Sequence, residues 1–292
     1  DIELSGGTVT ISSGITTGDI LALTTQNNIS GTYDGSTGVL TIIGTASKEN
    51  YQTALRSISY HSTSVDPTIT AGSRTISWTV TDANSDGAGA GTSSDISSTI
   101  NIIPINDAPV MTAGATLAYT ENSSPAAIDN TITITDDDDI EMSGSTVTIS
   151  SGITTGDILA LTTQNNISGT YDGSTGVLTI TGTASKENYQ TALRSMTFHS
   201  TSEDPTITSS SRTIIWAVTD ADSENLGVKS STTVTSIINI TPLTDAPVLT
   251  AGGTLSYTEN SSPAAIDNTI TITDDDDIEL SGGTVTISSG IT

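Results

Sequence analysis

Apolar and polar residues alternate along most of the chain, in short runs that end at Gly, Asn, Asp or Ser. Examples are TVTISS at 146–151, GVLTITG at 176–182, RTIIWAV at 212–218 and TSIINI at 235–240. A period of two is typical of strands with one buried face, and β-branched Thr, Ile and Val suit a pleated surface. The pattern therefore predicts an all-β fold. In one copy we predict strands near 116–120, 129–135, 145–151, 157–163, 167–172, 175–182, 197–201, 212–220 and 231–241.

One segment departs from this alternation. In SKENYQTALRSM, residues 185–196, the apolar positions recur at i, i+3, i+4 and i+7 from Tyr189, which is one face of a helix. Ser185 can cap the N-terminus, and Glu187 lies in the first turn, where the helix dipole favours a carboxylate. The same pattern occurs at 47–58. We predict immunoglobulin-like β-sandwich domains, each with one short helix inserted.

The sequence repeats itself with a period of 138 residues, so that residues 1–16 recur letter for letter as 277–292. A period of this length is typical of a whole domain, and near-identical copies indicate tandem domains of one type. The runs NDAPV at 106–110 and TDAPV at 244–248 follow strand-like segments, and we interpret them as linkers.

Cutting at these linkers divides the chain into three pieces. They are a partial repeat without its N-terminal strands (1–105), a complete repeat (106–243) and the N-terminal part of the next repeat (244–292). The alternative boundary lies at the Asp run and gives 1–138 and 139–276. With the first boundary, the last piece of one molecule carries the strands that the first piece of another lacks. We therefore expect neighbouring repeats as partners, and head-to-tail complementation between molecules.

The charge of the chain restricts its partners. Acidic residues number 33 against 7 basic ones, and the formal net charge is −26. Nucleic acid and anionic membrane surfaces would repel such a chain, whereas cations would be attracted. There is no cysteine, so neither a disulfide nor a thiolate metal site can form. No apolar run approaches the length of about 18 residues that a membrane helix needs.

An Asp-rich loop follows one predicted strand in each copy. In VTDANSDG, Asp82, Asn84 and Asp86 precede a glycine and match the opening of a Ca²⁺-binding loop, D-x-[DN]-x-[DN]-G. The second copy offers carboxylates at the matching positions: Asp220, Asp222 and Glu224. The bidentate Glu that closes an EF-hand is absent, so further ligands must come from elsewhere. The alternative is a solvated turn.

A run of adjacent carboxylates follows the strand-like TITIT. It comprises Asp136, Asp137, Asp138 and Asp139 with Glu141 beyond, and recurs as Asp274, Asp275, Asp276 and Asp277. Carboxylates 6–7 Å apart repel by roughly 0.6 kcal/mol in water and more near a protein surface, and a divalent cation reverses that effect. Hard oxygen ligands favour Ca²⁺ over Zn²⁺, and Mg²⁺ demands a tighter octahedral geometry. The alternative is an exposed charged loop.

The ordered set NDAPV, LAYTEN, TGVLTITGTAS, YQTALRS and RTIIWAVTDA resembles bacterial cadherin-like tandem repeats from the extender regions of large secreted adhesins of the RTX type. The resemblance implies a Ca²⁺-stabilised sandwich repeated many times, located at the cell surface and exported by type I secretion. The implied ligands are Glu121, Glu259, Asp82, Asp220, Asn106, Asp107 and Asp245. Glu49 and Glu187, the mid-domain matches, fall at a predicted helix start. The second linker has Thr244 in place of asparagine.

These observations predict a spacer rather than an enzyme. The chain contains no G-x-S-x-G, no Cys nucleophile and no H-E-x-x-H. We expect Ca²⁺ at the junctions to stiffen a rod that projects a distal binding domain. The alternative is a module for carbohydrate binding or homophilic cell adhesion.

Overall fold

Most of the alternating runs form β-strands in the computed structural model, which describes residues 2–223 and 225–290. The strands belong to two units. Unit 1 comprises Asp1–Asp107, Asp136–Ile140 and Asp222–Lys229, and unit 2 comprises Ala108–Thr135, Glu141–Ala221 and Ser230–Thr292. The all-β fold class is confirmed, whereas the boundaries at the two linkers stay a prediction.

Seven strands and one helix lie in the described residues 2–107. They are β1 (Glu3–Ser13), β2 (Asp19–Ala22), β3 (Ser30–Asp34), β4 (Val39–Ser47), α1 (Lys48–Arg56), β5 (Ser59–Ser62), β6 (Ser73–Asp82) and β7 (Ile96–Asn101). The main sheet has the order β3-β4-β1-β6-β7, and β2 pairs with β5. Leu21 of β2 belongs to the same core as Val9 of β1 and Ile42 of β4, so the two sheets face each other across that core.

The second copy adds four strands before the same series. These are β8 (Val110–Thr112), β9 (Thr116–Thr120), β10 (Ala126–Ala127) and β11 (Thr133–Thr135). The series itself is β12 (Glu141–Ser151), β13 (Asp157–Ala160), β14 (Ser168–Asp172), β15 (Val177–Ser185), α2 (Lys186–Arg194), β16 (Thr197–Ser200), β17 (Ser211–Asp220) and β18 (Val234–Thr241). The sheets are β14-β15-β12-β17-β18-β9, β10-β16-β13 and β11-β8. The second copy is therefore a sandwich with β9 added parallel to β18.

The core of unit 2 is closed around Trp216. This side chain is fully buried, and its indole N–H donates to the Ser236 hydroxyl at 3.0 Å. The rings of Tyr119 and Phe198 meet edge to face nearby, with centroids 5.1 Å apart. Trp216 is thus a core residue, as its in-phase position in the strand indicates.

The helix α2 covers one edge of this core. Tyr189, Ala192 and Leu193 are buried, as the predicted face requires, and Met196 is buried just beyond the helix end. The Ser185 hydroxyl caps the N-terminus by accepting the Asn188 N–H at 3.3 Å. The predicted helix and its cap are confirmed.

Ser185→Ala should destabilise unit 2 by about 1 kcal/mol, because the first turn loses the acceptor for one of its free N–H groups. The urea midpoint of the variant measures the change. Ser168→Ala, which alters an exposed serine in β14, should stay within about 0.5 kcal/mol of the parent chain. Equal effects of the two substitutions would contradict the capping role.

A buried ion pair fastens the loop before β17 to β13. Arg212 and Asp157 are fully buried side chains, with the guanidinium Nε 2.6 Å from a carboxylate oxygen. The guanidinium also donates to the carbonyls of Ser209 and Pro205, both at 2.6 Å. Arg74 and Asp19 form the same pair in unit 1. The pair fixes the chain that leads from residues 203–205 into β17.

The last part of unit 2 forms little secondary structure. Residues 244–290 contain two short strands, β19 (Val248–Thr250) and β20 (Thr271–Thr273), which pair antiparallel as β8 pairs with β11.

Candidate metal centre

Glu121 occupies a buried position at the end of β9. Its backbone N–H donates to the Thr241 carbonyl at 3.0 Å, which continues the parallel ladder with β18. One carboxylate oxygen, Oε2, accepts the Leu243 N–H at 2.8 Å, while Oε1 is buried with no hydrogen-bond partner. Because only 1% of the residue is exposed, a charged oxygen without a partner here is costly unless a cation binds.

Two further carboxylates of unit 2 approach Glu121. One oxygen from each of Glu121, Glu203 and Asp245 lies within 4.8 Å of the others. Glu203 comes from the loop after β16, and Asp245 from the linker. Ca²⁺ binds oxygens at 2.3–2.6 Å, so two ligands on opposite sides of the ion are about 4.6–5.2 Å apart. The spacing of the three oxygens therefore fits one Ca²⁺ ion.

The electrostatics of this cluster also favour a cation. Burial raises the pKa of Glu121 above its ordinary value, and the negative charges of Asp276, Asp245 and Asp204 raise it further. An open space of about 230 Å³ beside the cluster is lined by Asp204, Leu243 and Asp276, among others. A divalent ion would compensate the repulsion that raises this pKa. We call Glu121, Glu203 and Asp245 the candidate metal centre.

Part of the second Asp run closes onto the linker beside this centre. The Asp245 N–H donates to an Asp276 carboxylate oxygen at 2.5 Å, and the N–H groups of Asp276 and Asp277 donate to Asp274 at 3.2 and 3.0 Å. The run is thus a tight loop whose own amides orient its carboxylates. These contacts bring Asp274 and Asp276 close to Asp245, and the ligand roles of these residues stay predictions.

The first Asp run forms the same loop in unit 1. The Asp107 N–H donates to Asp138 at 2.6 Å, and the N–H groups of Asp138 and Asp139 donate to Asp136 at 3.2 and 3.0 Å. Asp139 is fully buried and accepts the Ser223 N–H at 3.1 Å. One oxygen each of Asp138 and Asp139 is buried with no hydrogen-bond partner. The loop thus offers buried carboxylate oxygens that suit a hard cation.

The linker asparagine of this loop has other partners. The Asn106 amide donates to the Gly227 carbonyl at 2.6 Å, and the Lys229 ammonium donates to the Asn106 carbonyl. In the first copy Gly91 occupies the position of Lys229. The Asn106 side chain, which is predicted to be a ligand, therefore binds the loop at 225–229.

Protonation should stabilise the metal-free Asp loop. Burial raises the pKa of Asp136 to about 7, and the hydrogen bond with the Asp138 side chain raises it too. A carboxyl whose folded pKa lies above its unfolded value adds stability as pH falls from about 8 towards 5. The pKa of Asp138 is lowered instead, so its contribution to stability changes only below about pH 4. The urea midpoint of the metal-free chain in EDTA should therefore be higher at pH 5 than at pH 8.

Asp136→Asn should flatten this pH dependence, because the titrating group is gone. The matched control is Asp137→Asn, since Asp137 is exposed in the same loop. An unaltered slope in Asp136→Asn would show that other groups produce the effect.

The predicted Ca²⁺ loop after β6 uses its oxygens locally. Asp82 accepts the N–H groups of Asn84 and Gly91 at 3.2 and 3.0 Å, and Asp86 accepts that of Ala88 at 3.0 Å. The Asn84 side-chain oxygen accepts the Gly89 N–H at 2.6 Å. Ca²⁺ binding by this loop stays a prediction.

The remaining predicted ligands are not among the three carboxylates of the candidate metal centre. Asp220 is fully buried at the end of β17, and Asp222 accepts the Gly227 N–H at 2.6 Å. Glu224 lies outside the described residues. The exposed candidates are Asp137, Glu141, Glu259, Asp275 and Asp277. Glu187 lies in the first turn of α2, and Glu49 in that of α1. The carboxylates of these two residues bind their own backbone N–H and the capping serine, so we do not count them among the candidate ligands, whereas the ligand roles of the other residues stay predictions.

The sequence contains a signal for Glu203 that no motif spacing reveals. The two copies read TSVDPTIT and TSEDPTIT, so that Val65 in the first copy corresponds to Glu203 in the second. The two stretches are otherwise identical, so the copies differ here by one carboxylate. The first copy lacks this carboxylate.

Comparison with known proteins gives partial matches. No family model matches the chain. Over 93 residues, 30% of the chain, it is 39% identical to halomucin of Haloquadratum walsbyi, of which it covers 1%. Structure comparison matches mouse cadherin-23 EC22-24 at a TM-score of 0.31 and 15% identity, over 92% of this chain and 66% of that one. The protocadherin γB4 extracellular domain matches at a TM-score of 0.30 and 15% identity, over 88% of this chain and 35% of that one. Both of these solved structures are extracellular domains of cadherins.

No described helix is long and apolar enough to cross a membrane.

Proposed function

We propose that the chain is a Ca²⁺-stabilised spacer of a bacterial surface adhesin, and that bound Ca²⁺ stiffens the junction between successive repeats. The observation that carries this proposal is the buried Oε1 of Glu121, which has no hydrogen-bond partner and lies beside the carboxylates of Glu203 and Asp245. A hard divalent cation is the ligand that suits three carboxylate oxygens at this spacing.

The three proposed ligands come from different parts of the chain, so one bound ion connects those parts. Glu121 directly follows β9 and Glu203 follows β16, so both belong to the sandwich, whereas Asp245 belongs to the linker. Asp245 in turn holds Asp276 of the following Asp run through its N–H. An ion at this centre therefore connects the sandwich to the linker and, through one hydrogen bond, to the next repeat.

Repulsion between like charges opposes a stiff junction when no ion is bound. With a net charge of −26, the metal-free chain repels itself, and the acidic loops at the junctions concentrate that repulsion. The spacer is therefore flexible without Ca²⁺ and stiff with it. An extracellular location fits this switch, because extracellular modules bind Ca²⁺ with dissociation constants of about 0.1–1 mM. We propose the cell surface as the location, with export by type I secretion.

Small-angle X-ray scattering in Ca²⁺ and in EDTA tests the proposal. We expect a longer maximum dimension and a lower flexibility in Ca²⁺, and a smaller difference in Glu121→Gln. Glu187→Gln is the matched control, because it removes the same charge from the exposed first turn of α2. All samples should be measured at concentrations where the chain is monomeric. Identical scattering curves in Ca²⁺ and EDTA would refute the stiffening role.

The alternative, a carbohydrate-binding module, lacks its usual platform in unit 2. Trp216 is fully buried, so it offers no face for stacking on a sugar ring.

A further inference from the structure

Lys229 is the one basic residue of the chain without a basic counterpart in the other copy. The chain has seven lysines and arginines. Six of them form three pairs at matching positions, 138 residues apart: Lys48 and Lys186, Arg56 and Arg194, Arg74 and Arg212. The position of Lys229 is Gly91 in the first copy. The second copy therefore differs from the first by one positive charge at this point.

The structure places this charge in an acidic part of unit 1. Three segments of that unit, at 106–107, 136–140 and 222–229, are joined by hydrogen bonds. Lys229 is the only basic residue in the three segments. Their acidic residues are Asp107, Asp136, Asp137, Asp138, Asp139, Asp222 and Glu224. One ammonium group here offsets part of the repulsion between the carboxylates.

A single peptide unit of the linker is held between Lys229 and the first Asp run. The Lys229 ammonium donates to the Asn106 carbonyl. The N–H of the same peptide unit, which belongs to Asp107, donates to an Asp138 carboxylate oxygen at 2.6 Å. Each of these hydrogen bonds has a charged partner, which makes it stronger than a bond between neutral groups. Both charges polarise the peptide in the same direction, so each bond strengthens the other.

The loop that carries Lys229 is folded so that it reaches both the linker and the Asp run. Asp222 accepts the Gly227 N–H at 2.6 Å, which closes the loop on itself. The Gly227 carbonyl then accepts the Asn106 side-chain amide at 2.6 Å. Earlier in the loop, the Ser223 N–H donates to Asp139 at 3.1 Å. The loop therefore binds the two acidic segments together, and none of these contacts uses a metal ion.

A cation that is attached to the chain acts at any Ca²⁺ concentration. Because Lys229 is tethered to the loop, its effective concentration at the linker does not depend on the solution. It therefore keeps a positive charge beside the acidic segments in the metal-free chain. The same charge repels a second cation that binds nearby. Lys229 thus stabilises the metal-free linker and opposes Ca²⁺ binding.

We propose that Lys229 is a tethered counter-cation, which holds the linker peptide at 106–107 against the first Asp run without Ca²⁺ and weakens Ca²⁺ binding by that run. The first part stands on the contacts alone, whereas the second part rests on the proposed Ca²⁺ binding at junctions. The residue at this position of the loop thereby sets how strongly a junction depends on Ca²⁺. A junction with lysine there responds less to the ion than one with glycine.

Hydrogen exchange of the metal-free chain, followed by NMR in EDTA, tests the first part. We expect the Asp107 N–H to exchange roughly tenfold faster in Lys229→Met, because a hydrogen bond to a charged group is lost. Lys229→Arg should keep the protection, since it keeps the positive charge. The matched control is Lys48→Met, which removes the same charge from an exposed site at the start of α1. Unchanged exchange in Lys229→Met, or an equal gain in Lys48→Met, would overturn the proposal.

Calcium titration of the same variants by isothermal calorimetry tests the second part. We expect Lys229→Met to bind Ca²⁺ about threefold more tightly than the parent chain at one site, because a nearby positive charge is removed. Lys48→Met and Lys229→Arg should bind as the parent chain does. Equal affinities in the parent chain and Lys229→Met would overturn this part. A parent chain that binds no Ca²⁺, with faster exchange in Lys229→Met, would refute the proposed function and support the role of Lys229 in the metal-free linker.

Discussion

Addition of Ca²⁺ to the metal-free chain should raise the melting temperature of unit 2 by about 10 °C. A ligand that binds only the folded state stabilises it by about 2.7 kcal/mol at a hundredfold excess over its Kd. For a domain of this size, each kcal/mol corresponds to roughly 4 °C. The physical reason is the cost of the buried carboxylate of Glu121, which a bound cation removes. Differential scanning calorimetry in Ca²⁺ and in EDTA measures the shift.

Glu203→Val should abolish most of this Ca²⁺-dependent shift. The substitution installs the residue of the first copy, Val65, so the loop sequence is one that this chain already folds. It removes one of the three carboxylates of the candidate metal centre. Glu187→Gln, the control on α2, should keep the full shift. If Glu203→Val and the parent chain gain the same stability from Ca²⁺, the ion binds elsewhere.

Arg212→Met should destabilise unit 2 by about 3–5 kcal/mol, because it leaves the charge of Asp157 buried without its partner. The pair is fully buried and short, with Nε and Oδ2 2.6 Å apart. Urea unfolding measures the loss. The matched control is Arg56→Met, which makes the same change at an exposed site in the last turn of α1 and should cost less than about 0.5 kcal/mol.

The same substitution should weaken Ca²⁺ binding, although Arg212 is not a ligand. Its guanidinium holds the Pro205 carbonyl at 2.6 Å, two residues from Glu203. Thr154 also donates to that carbonyl, at 3.3 Å. Releasing the loop therefore loosens one ligand of the candidate metal centre. A loss of stability below 1 kcal/mol would contradict the structural role of the ion pair.

The class of fold could be predicted because it depends on local patterns. The alternation of Thr with Ile and Val specified the long strands, and the spacing of Tyr189, Ala192 and Leu193 specified α2. The strand predicted at 116–120 is β9, with the same bounds. In each case the burial of one face determines the element, and the period of the apolar residues reveals that face.

The short strands could not be predicted in the same way. We interpreted residues 106–110 as a linker and predicted no strand there, whereas Val110 begins β8, which pairs with β11 and buries Met111. Three residues are too few to show a period. We predicted a strand over 129–135, whereas only Thr133–Thr135 is one, because Asp129 binds the N–H groups of Gly114 and Ala115 and forms a loop. We predicted the next strand from 145, and it begins at Glu141.

The candidate metal centre was predictable only in part. Glu121 and Asp245 came from the resemblance to a known family, because their motifs are local. Glu203 lies 82 residues from Glu121 in the sequence, and no spacing rule connects residues that only the tertiary fold brings together. The ion pair of Asp157 and Arg212 escaped prediction for the same reason, as 55 residues separate its members.

Calcium titration of the metal-free chain by isothermal calorimetry, with the parent chain beside Glu121→Gln, tests the central claim most directly. We predict saturable binding by the parent chain with a Kd of about 1 mM or tighter, the range of extracellular Ca²⁺ modules. We predict that Glu121→Gln loses at least one binding site, while Glu187→Gln keeps them all. Equal numbers of sites and equal affinities in the parent chain and Glu121→Gln would contradict the account.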